Sequence, residues 1–311
     1  MKKIPVGATI ARAYRFAFAD FLKIVGVMWP ALALMWVPSF LMRQQLMTVS
    51  TQMASQDFSA FRSLWPFFVV FYLLALILIF MQIIGIAQIA LDRRKGPVWF
   101  YFWLGQPVWR LTGYFLLLIV AFIIGWVLVV LADLLVGFLM RLLVASSGNG
   151  ILAATLGFLS IVVLLVPPCA FFYSVVRLTF FLVPVVAAEE EDFALKLSWD
   201  LGRGNFWRMF VILLATLGPF LILECVYFFG FMLKGLPFPP SHPTAEQTAA
   251  FQAATNTRMV EMMNAMYHYW YISYPLMIAA IAIFYGLCTG AQCFAYLALK
   301  EDEVSAPVAA D

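Results

Sequence analysis

Two acidic residues lie inside long apolar runs of this sequence, Asp133 in GWVLVVLADLLVGFLM and Glu224 in GPFLILECVYFFGF. Ionisable side chains are costly inside a membrane, so their presence there suggests a function. Two carboxylates at similar depth could bind a cation or exchange a proton. The alternative is structural: each carboxylate pairs with Arg141, Lys234 or a hydroxyl group, or lines a shallow wet vestibule. The residues alone leave both interpretations open.

The other reactive residue types form no recognisable catalytic or metal-binding pattern. His242 lies in a loop-like segment and His268 among aromatic residues typical of a membrane interface. The four cysteines fall in apolar runs without CxxC spacing, at Cys169, Cys225, Cys288 and Cys293. HExxH, GxSxG and P-loop patterns are absent. We therefore predict no catalytic residue, no cofactor, no metal ion and no enzyme activity.

The composition predicts a membrane protein. Hydrophobic residues make up 65% of the 311 residues and charged residues only 11%, against about 25% charged residues in soluble domains. Apolar runs long enough to cross a bilayer occur over about 22–42, 65–91, 111–140, 151–176, 205–233 and 268–299. The predicted fold class is all-α, a polytopic bundle of about six transmembrane helices with interfacial amphipathic helices. One integral membrane domain is predicted over 1–303 and a disordered tail over 304–311.

Basic residues are distributed unequally between the two sides that six spans define. Fourteen of the nineteen lysines and arginines fall in the N-terminal segment, in the connections 91–111 and 177–208, and at Lys300. The positive-inside rule therefore places these segments and both termini in the cytoplasm. Outer loops are predicted over about 43–64, 141–150 and 234–267. In the last of these, Thr244 and Glu246 are placed to begin a helix.

Three segments rich in aromatic or basic residues run directly into the first, third and fifth spans. In the first segment, Ile10, Tyr14 and Phe18 share one helical face, and Arg12 and Arg15 share the other. This pattern is typical of a helix in the membrane interface, and a cap packed on the loops is the alternative. The three segments suggest a threefold array of interfacial helix, span, outer loop and span. Loose similarity among membrane helices is the alternative.

Prolines and small residues predict how the spans bend and pack. Prolines can kink helices, and broken helices line substrate sites in transporters; here they lie at Pro30, Pro38, Pro167, Pro168, Pro184, Pro219 and Pro275. The series Ala282, Gly286 and Gly290 favours close helix contact. The sequence leaves open whether that contact is internal or between subunits.

The junction between the fourth and fifth spans, residues 177–208, is a long charged and amphipathic stretch between two apolar runs. Pro184 interrupts its apolar start, and the acidic run 189–192 favours the beginning of a helix over 192–202. Gly202 and Gly204 are placed to end that helix. The residues predicted to brace the junction, without performing chemistry, are Arg177, Glu189, Trp199 and Arg208.

The same junction also contains a family-like pattern, which reads in order Arg177, Pro184, Glu189, Ala194-Leu195, Ser198-Trp199, Leu201, Gly204 and Phe206-Trp207-Arg208. It resembles the membrane domain attached to some bacterial glycerophosphoryl diester phosphodiesterases, and related stand-alone bacterial membrane proteins. The resemblance covers about 177–215. It implies a six-helix or similar bundle in a bacterial cytoplasmic (inner) membrane. It does not imply phosphodiesterase activity, because that chemistry belongs to a separate soluble barrel domain, and no catalytic residue carries over.

The sequence thus predicts a non-enzymatic integral membrane protein that organises lipids or partner proteins at the cytoplasmic face. The expected partners are membrane lipids and a protein partner or a second copy of the chain, without nucleic acid. The alternative function is a small transporter or ion-coupled permease that uses Asp133, Glu224 and the proline-containing spans.

Overall fold

The computed structural model describes residues 3–42, 59–93, 101–147, 150–189, 192–227 and 244–304, and the single residues 45, 99 and 230. Their helices are α1 (Val6–Ala19), α2 (Phe21–Leu41), α3 (Ser59–Ala90), α4 (Gln106–Ser147), α5 (Gly150–Thr179), α6 (Leu182–Ala187), α7 (Ala194–Leu201), α8 (Phe206–Tyr227), α9 (Ala245–His268) and α10 (Trp270–Val304).

The fold is all-α, as predicted, and the described residues contain no strand. Among the described residues, six stretches are long and apolar enough to cross a bilayer, as a multi-pass membrane protein requires. They are Phe21–Pro38, Leu64–Ala90, Gln106–Leu142, Pro168–Ala187, Phe206–Val226 and Trp270–Lys300. Each overlaps one of the six predicted spans, and the fourth extends past its predicted end into α6.

Some predictions concern segments outside the described residues. These include Lys234, His242, most of the predicted outer loop 43–64, and residues 305–311 of the predicted tail. The division into one domain over 1–303 stays a prediction. The helix expected after Thr244 is confirmed: α9 begins at Ala245, and the side chains of Thr244 and Gln247 form a reciprocal capping box.

The buried core lies at one end of the bundle, which we call the junction end. It contains α1, α6 and α7 with the adjoining ends of α2, α3, α4, α5, α8 and α10, and its fully buried side chains include Ile24, Met81, Phe180 and Phe181. From this core toward the opposite end, which we call the far end, no residue of 113–142, 217–226 or 270–281 is buried. Apolar side chains remain exposed there, which a membrane environment allows because lipid covers them.

Helix α1 packs closely against α10 through small residues. Gly286 lies against Ala17, and a Cβ added at Gly290 would come within 2.8 Å of Cδ1 of Phe16. Ala282 is fully buried. The series Ala282, Gly286 and Gly290 therefore serves a contact inside the chain, which answers the question that the sequence left open.

The protein-facing side of α1 differs from the predicted one. Thr9, Ala13, Phe16 and Ala17 are buried, whereas Phe18 is 60% exposed. The predicted apolar face had grouped Phe18 with Ile10 and Tyr14. The reason for the difference is the glycine-lined surface of α10, which admits an alanine backbone and a phenyl ring at van der Waals distance.

The described spans run through their prolines without a break. Pro30, Pro38, Pro219 and Pro275 all lie inside continuous helices. The helical structure is interrupted instead at Phe180 and Phe181, between α5 and α6. Pro184 is the third residue of α6, where its missing N–H has no intrahelical partner to lose. The predicted interruption at Pro184 is therefore displaced by a few residues toward α5.

Helix α7 begins later than predicted. It starts at Ala194, its N-cap residue Phe193 makes no side-chain capping bond, and its first turn contains no acidic residue. The acidic run therefore precedes the helix instead of opening it; Glu190 and Glu191 lie outside the described residues. The predicted end is close: Gly202 follows α7, and Gly204 adopts a left-handed φ of 75°, which glycine tolerates without steric cost.

Candidate functional site at the helix junction

Arg177 is the buried centre of the junction. It lies near the end of α5 and is only 7% exposed. Its Nε donates to the backbone carbonyl of Trp199 over 2.9 Å, and Nη1 donates to the hydroxyl of Tyr173 over 3.1 Å. The guanidinium carbon lies 3.9 Å from the centre of the Trp199 ring. A carbonyl dipole, a hydroxyl oxygen and an aromatic face therefore stabilise this charge.

Ser198 joins α7 to the end of α5. Its Oγ donates to the carbonyl of Leu178 over 2.7 Å and lies 3.3 Å from the carbonyl of Arg177. The last carbonyls of a helix have no intrahelical donor. The Ser198 hydroxyl therefore supplies a hydrogen bond to the carbonyl of Leu178, which lies at the end of α5. Gly202 completes the fit, because a Cβ there would lie 2.7 Å from Cγ of Arg177.

Arg208 holds the N-terminal segment against the start of α8. Its Nη1 donates to the carbonyl of Ile4 over 2.6 Å, and the N–H of Ile4 donates to Oδ1 of Asn205 over 3.1 Å. Ile4 itself is fully buried. Farther along α8, the hydroxyl of Tyr14 donates to the carbonyl of Ala215 over 3.0 Å. Arg208 therefore links segments some 200 residues apart in the chain.

Glu189 occupies an exposed turn after α6. Its φ of 55° is left-handed, and its N–H donates to the carbonyl of Val186 over 3.1 Å. The carboxylate has no hydrogen-bond or ion-pair partner within the described part of the chain. Arg93 donates to the carbonyl of the preceding residue, Ala188. The contact that holds this turn thus uses the backbone of Ala188 and not the side chain of Glu189.

The structure does not bring Asp133 and Glu224 together. Asp133 is half-buried on α4, which packs against α3, α5 and α6, whereas Glu224 is exposed on α8, which packs against α1, α5 and α10. In the described part of the chain, neither carboxylate has a hydrogen-bond or ion-pair partner. Arg141, one of the predicted partners, is exposed on α4.

Both carboxylates lie far from the junction end along their helices. Tyr114 marks the level of α7, because its hydroxyl accepts a hydrogen bond from the N–H of Ala194 over 3.4 Å. At 1.5 Å per residue, Asp133 lies about 28 Å beyond Tyr114, and Glu224 lies about 27 Å beyond Phe206. These distances approach the full thickness of a hydrocarbon core, about 30 Å. The two carboxylates therefore lie at similar distances along their helices from the junction end.

The polar groups of the junction are already engaged in holding helices together. Arg177 and Arg208 bond backbone carbonyls, and Trp199 supplies both a carbonyl and a ring. Sequence reasoning assigned no role to Tyr173, Ser198 or Asn205. Tyr173 could have been found from its position four residues before Arg177, one helical turn away. The long-range role of Asn205 left no local signal.

Comparisons with known proteins found no relative of this chain. No family model, curated protein or solved structure matches the chain. Among the residues that the structure describes, no three histidine, cysteine, aspartate or glutamate side chains are grouped as a metal site would need.

Proposed function

We propose that the chain is a non-enzymatic integral membrane protein whose junction end binds and orders lipid headgroups at the cytoplasmic face. One observation carries the proposal. Exposed aromatic and cationic side chains surround the buried junction on the three segments that lead into spans. We call this set the collar, and its members are Arg12, Arg15, Phe18, Trp99, Phe102, Trp103, Phe193 and Trp207.

The collar is attached to the core by contacts behind the exposed side chains. In α1, Phe16 and Ala17 pack on α10 while Phe18 points away from the core. Beside Trp99 and Trp103, the ring of Tyr101 is buried against Gly85, and its hydroxyl donates to Oε1 of Gln88 over 3.3 Å. Such attachment lowers the conformational entropy lost when lipid binds, because the supporting segments are already ordered.

The collar has the chemistry of a headgroup-binding surface. Tryptophan and phenylalanine rings favour the interfacial layer, where their apolar bodies meet the acyl chains. Arginine binds phosphate with paired N–H donors. Arg12 and Arg15 are both exposed, and neither has a hydrogen-bond or ion-pair partner in the described part of the chain. Their free donors suit the phosphate groups of anionic lipids.

The charge distribution supports a cytoplasmic position for the junction end. Most lysines and arginines of the sequence fall on this side of the spans, and cytoplasmic loops of membrane proteins carry such an excess. The resemblance of 177–215 to the membrane domain of glycerophosphoryl diester phosphodiesterases supports a bacterial inner membrane as the location. The absence of enzyme activity is part of the proposal, supported by the engagement of Arg177 and Arg208 with backbone carbonyls.

The test measures which lipids the purified protein retains. Native mass spectrometry compares phosphatidylglycerol with phosphatidylcholine for the wild type and for the double variant Arg12→Gln, Arg15→Gln. Each basic residue near an anionic surface contributes about 1 kcal/mol, so we expect the double variant to prefer phosphatidylglycerol about thirtyfold less strongly. Added salt should weaken the wild-type preference in the same direction.

The matched control is Arg258→Gln on α9, at the far end, where Arg258 pairs with Glu261 at 3.2 Å. This variant should keep the wild-type preference. An unchanged preference in the double variant would refute the collar as the lipid-binding surface. Retention of a tightly bound protein in place of lipid would favour a partner-organising role instead.

A further inference from the structure

The segment 3–19, which contains α1, is fastened to two spans that come much later in the chain. We call this segment the strap. On one side it packs on α10, where a Cβ added at Gly290 would meet the ring of Phe16. On the other side it is bound to α8 through Ile4 and Tyr14. The strap therefore closes over the pair of spans formed by α8 and α10.

The strap runs beside α8 in the same direction. The N–H of Ile4 donates to Oδ1 of Asn205, and the hydroxyl of Tyr14 donates to the carbonyl of Ala215. Both bonds join residues that are 201 positions apart, so the two segments advance together between them. This register brings Tyr14 to a level of α8 about 14 Å beyond Phe206.

Pro219 leaves a gap in the backbone hydrogen bonds of α8 at that level. In a regular α-helix the carbonyl of Ala215 accepts from the N–H of residue 219, but proline has no N–H. Ala215 lies within the fifth span, where an unpaired carbonyl is costly because no water replaces the missing donor. The hydroxyl of the adjacent Thr216 donates to the carbonyl of Ile212. The Tyr14 hydroxyl, at 3.0 Å, supplies the bond that Pro219 removes.

We infer that the strap opens and closes on α8 and α10 as a unit, and that the Tyr14 hydroxyl is its latch at the gap in α8. Asp20 is the hinge, because it is the non-helical residue between α1 and α2. When the strap is closed, the side chains of Asn205 and Arg208 bind the backbone of Ile4. When it is open, both side chains are free. The device does not rest on the proposed lipid binding.

The first experiment tests the latch by amide hydrogen exchange, measured by mass spectrometry on the full chain in detergent without added phospholipid. Tyr14→Phe keeps the ring and removes the hydroxyl. The closed state then loses one hydrogen bond and the open state loses none, so the amides of α1 should exchange about tenfold faster. Exchange in α3 and α5 should stay at the wild-type rate. Wild-type exchange in α1, or equal acceleration in every helix, would overturn the inference.

The second experiment tests whether the latch acts at the proline gap. Pro219→Ala restores the N–H that α8 lacks, so the carbonyl of Ala215 no longer depends on Tyr14. This variant should also speed the exchange of α1 by about tenfold, and the double variant Tyr14→Phe, Pro219→Ala should match either single variant, because both changes remove the same bond. An acceleration of about a hundredfold in the double variant would show that the two residues act independently, and would overturn the inference.

The matched control is Pro275→Ala, which removes a proline from a different span. The carbonyl four residues before Pro275 is that of Tyr271, about 28 Å along α10 from Gly290, where the strap packs. This variant should leave the exchange of α1 unchanged, and adding Tyr14→Phe to it should produce the full acceleration of about tenfold. Equal effects of Pro275→Ala and Pro219→Ala would reject the gap in α8 as the site of the latch.

Discussion

At the scale of single residues, the junction depends on a buried guanidinium that has no carboxylate partner among the described residues. Arg177 is bound by the carbonyl of Trp199, the hydroxyl of Tyr173 and the Trp199 ring. A buried charge is costly unless its donors are satisfied. The planar guanidinium suits this surrounding, because its edge donates hydrogen bonds while its face stacks on an aromatic ring.

Replacing Arg177 by lysine should destabilise the protein although the charge is kept. A lysine ammonium cannot donate to Trp199 and Tyr173 in the same fork geometry or stack on the indole ring. Unsatisfied buried polar groups cost about 1–3 kcal/mol each, so we expect a loss of stability of about 2 kcal/mol and a lower melting temperature in detergent. Thermal unfolding followed by tryptophan fluorescence measures it. Arg12→Lys, at an exposed position, is the control and should melt with the wild type.

At the scale of elements, each segment that enters a span docks on the end of another span. α1 lies on α10 at Gly290, the segment around Tyr101 lies on α3 at Gly85, and α7 lies on α5 at Arg177. The sequence predicted that these three segments exist, because their amphipathic and aromatic patterns are local. It could not predict their docking sites. The glycines on one helix and the aromatic ring that packs on them belong to different segments, so they form no local sequence pattern.

This docking is compatible with the threefold repeat, which stays a hypothesis. The first and third segments contain the helices α1 and α7, whereas residues 101–105 of the second segment are not helical. The segments therefore share their position at the junction end without sharing one secondary structure.

Enlarging Gly290 should release α1 from the bundle. A Cβ at this position would already lie 2.8 Å from Cδ1 of Phe16, so Gly290→Leu forces the phenyl ring and α1 outward. Overpacking of this kind costs about 1–3 kcal/mol. Limited trypsin digestion measures the release, because cleavage after Arg12 and Arg15 should become faster than in the wild type.

The control for this variant is Gly113→Ala in α4. No heavy atom lies within 4 Å of a Cβ added there, so the change should leave digestion unaltered and raise stability by about 0.5–1 kcal/mol through helix propensity. Wild-type digestion of Gly290→Leu would show that α1 does not depend on this contact.

At the scale of the whole molecule, the sequence was sufficient for the fold class and the spans but not for the position of the core. Hydrophobic runs near 20 residues are a local signal, so each predicted span overlaps a structural one. Burial at the junction end depends on which helices meet, and side chains facing lipid are as apolar as those facing protein. Leu221 and Leu223 are exposed on α8 whereas Ile212 is fully buried, yet their residue types do not distinguish them.

The candidate site was predictable in part for the same reason. Arg177, Trp199 and Arg208 could be singled out from the sequence, because charged and aromatic residues at span ends are distinctive. Their partners were not predictable, since these are mainly backbone carbonyls of distant residues, such as that of Ile4. The turn at Glu189 depends on a left-handed φ of 55°. A glutamate in the sequence does not indicate this backbone conformation, whereas a glycine often does.

The topology and the depth of the carboxylates give one joint prediction that tests the whole arrangement. Single cysteines replace Arg203, Glu224 and Thr248 in a background where Cys169, Cys225, Cys288 and Cys293 are alanine, and a membrane-impermeant maleimide is added to intact spheroplasts.

Thr248→Cys, on exposed α9, should be labelled from outside, and Arg203→Cys, beside α7, only after permeabilisation. Glu224→Cys should also be labelled from outside, because about 27 Å of helix places it at the far edge of the hydrocarbon core. Reversed labelling of Thr248→Cys and Arg203→Cys would invert the topology, and with it the leaflet assigned to the collar. Protection of Glu224→Cys under all conditions would instead place this carboxylate within the membrane, and would restore the case for an ion-coupled permease.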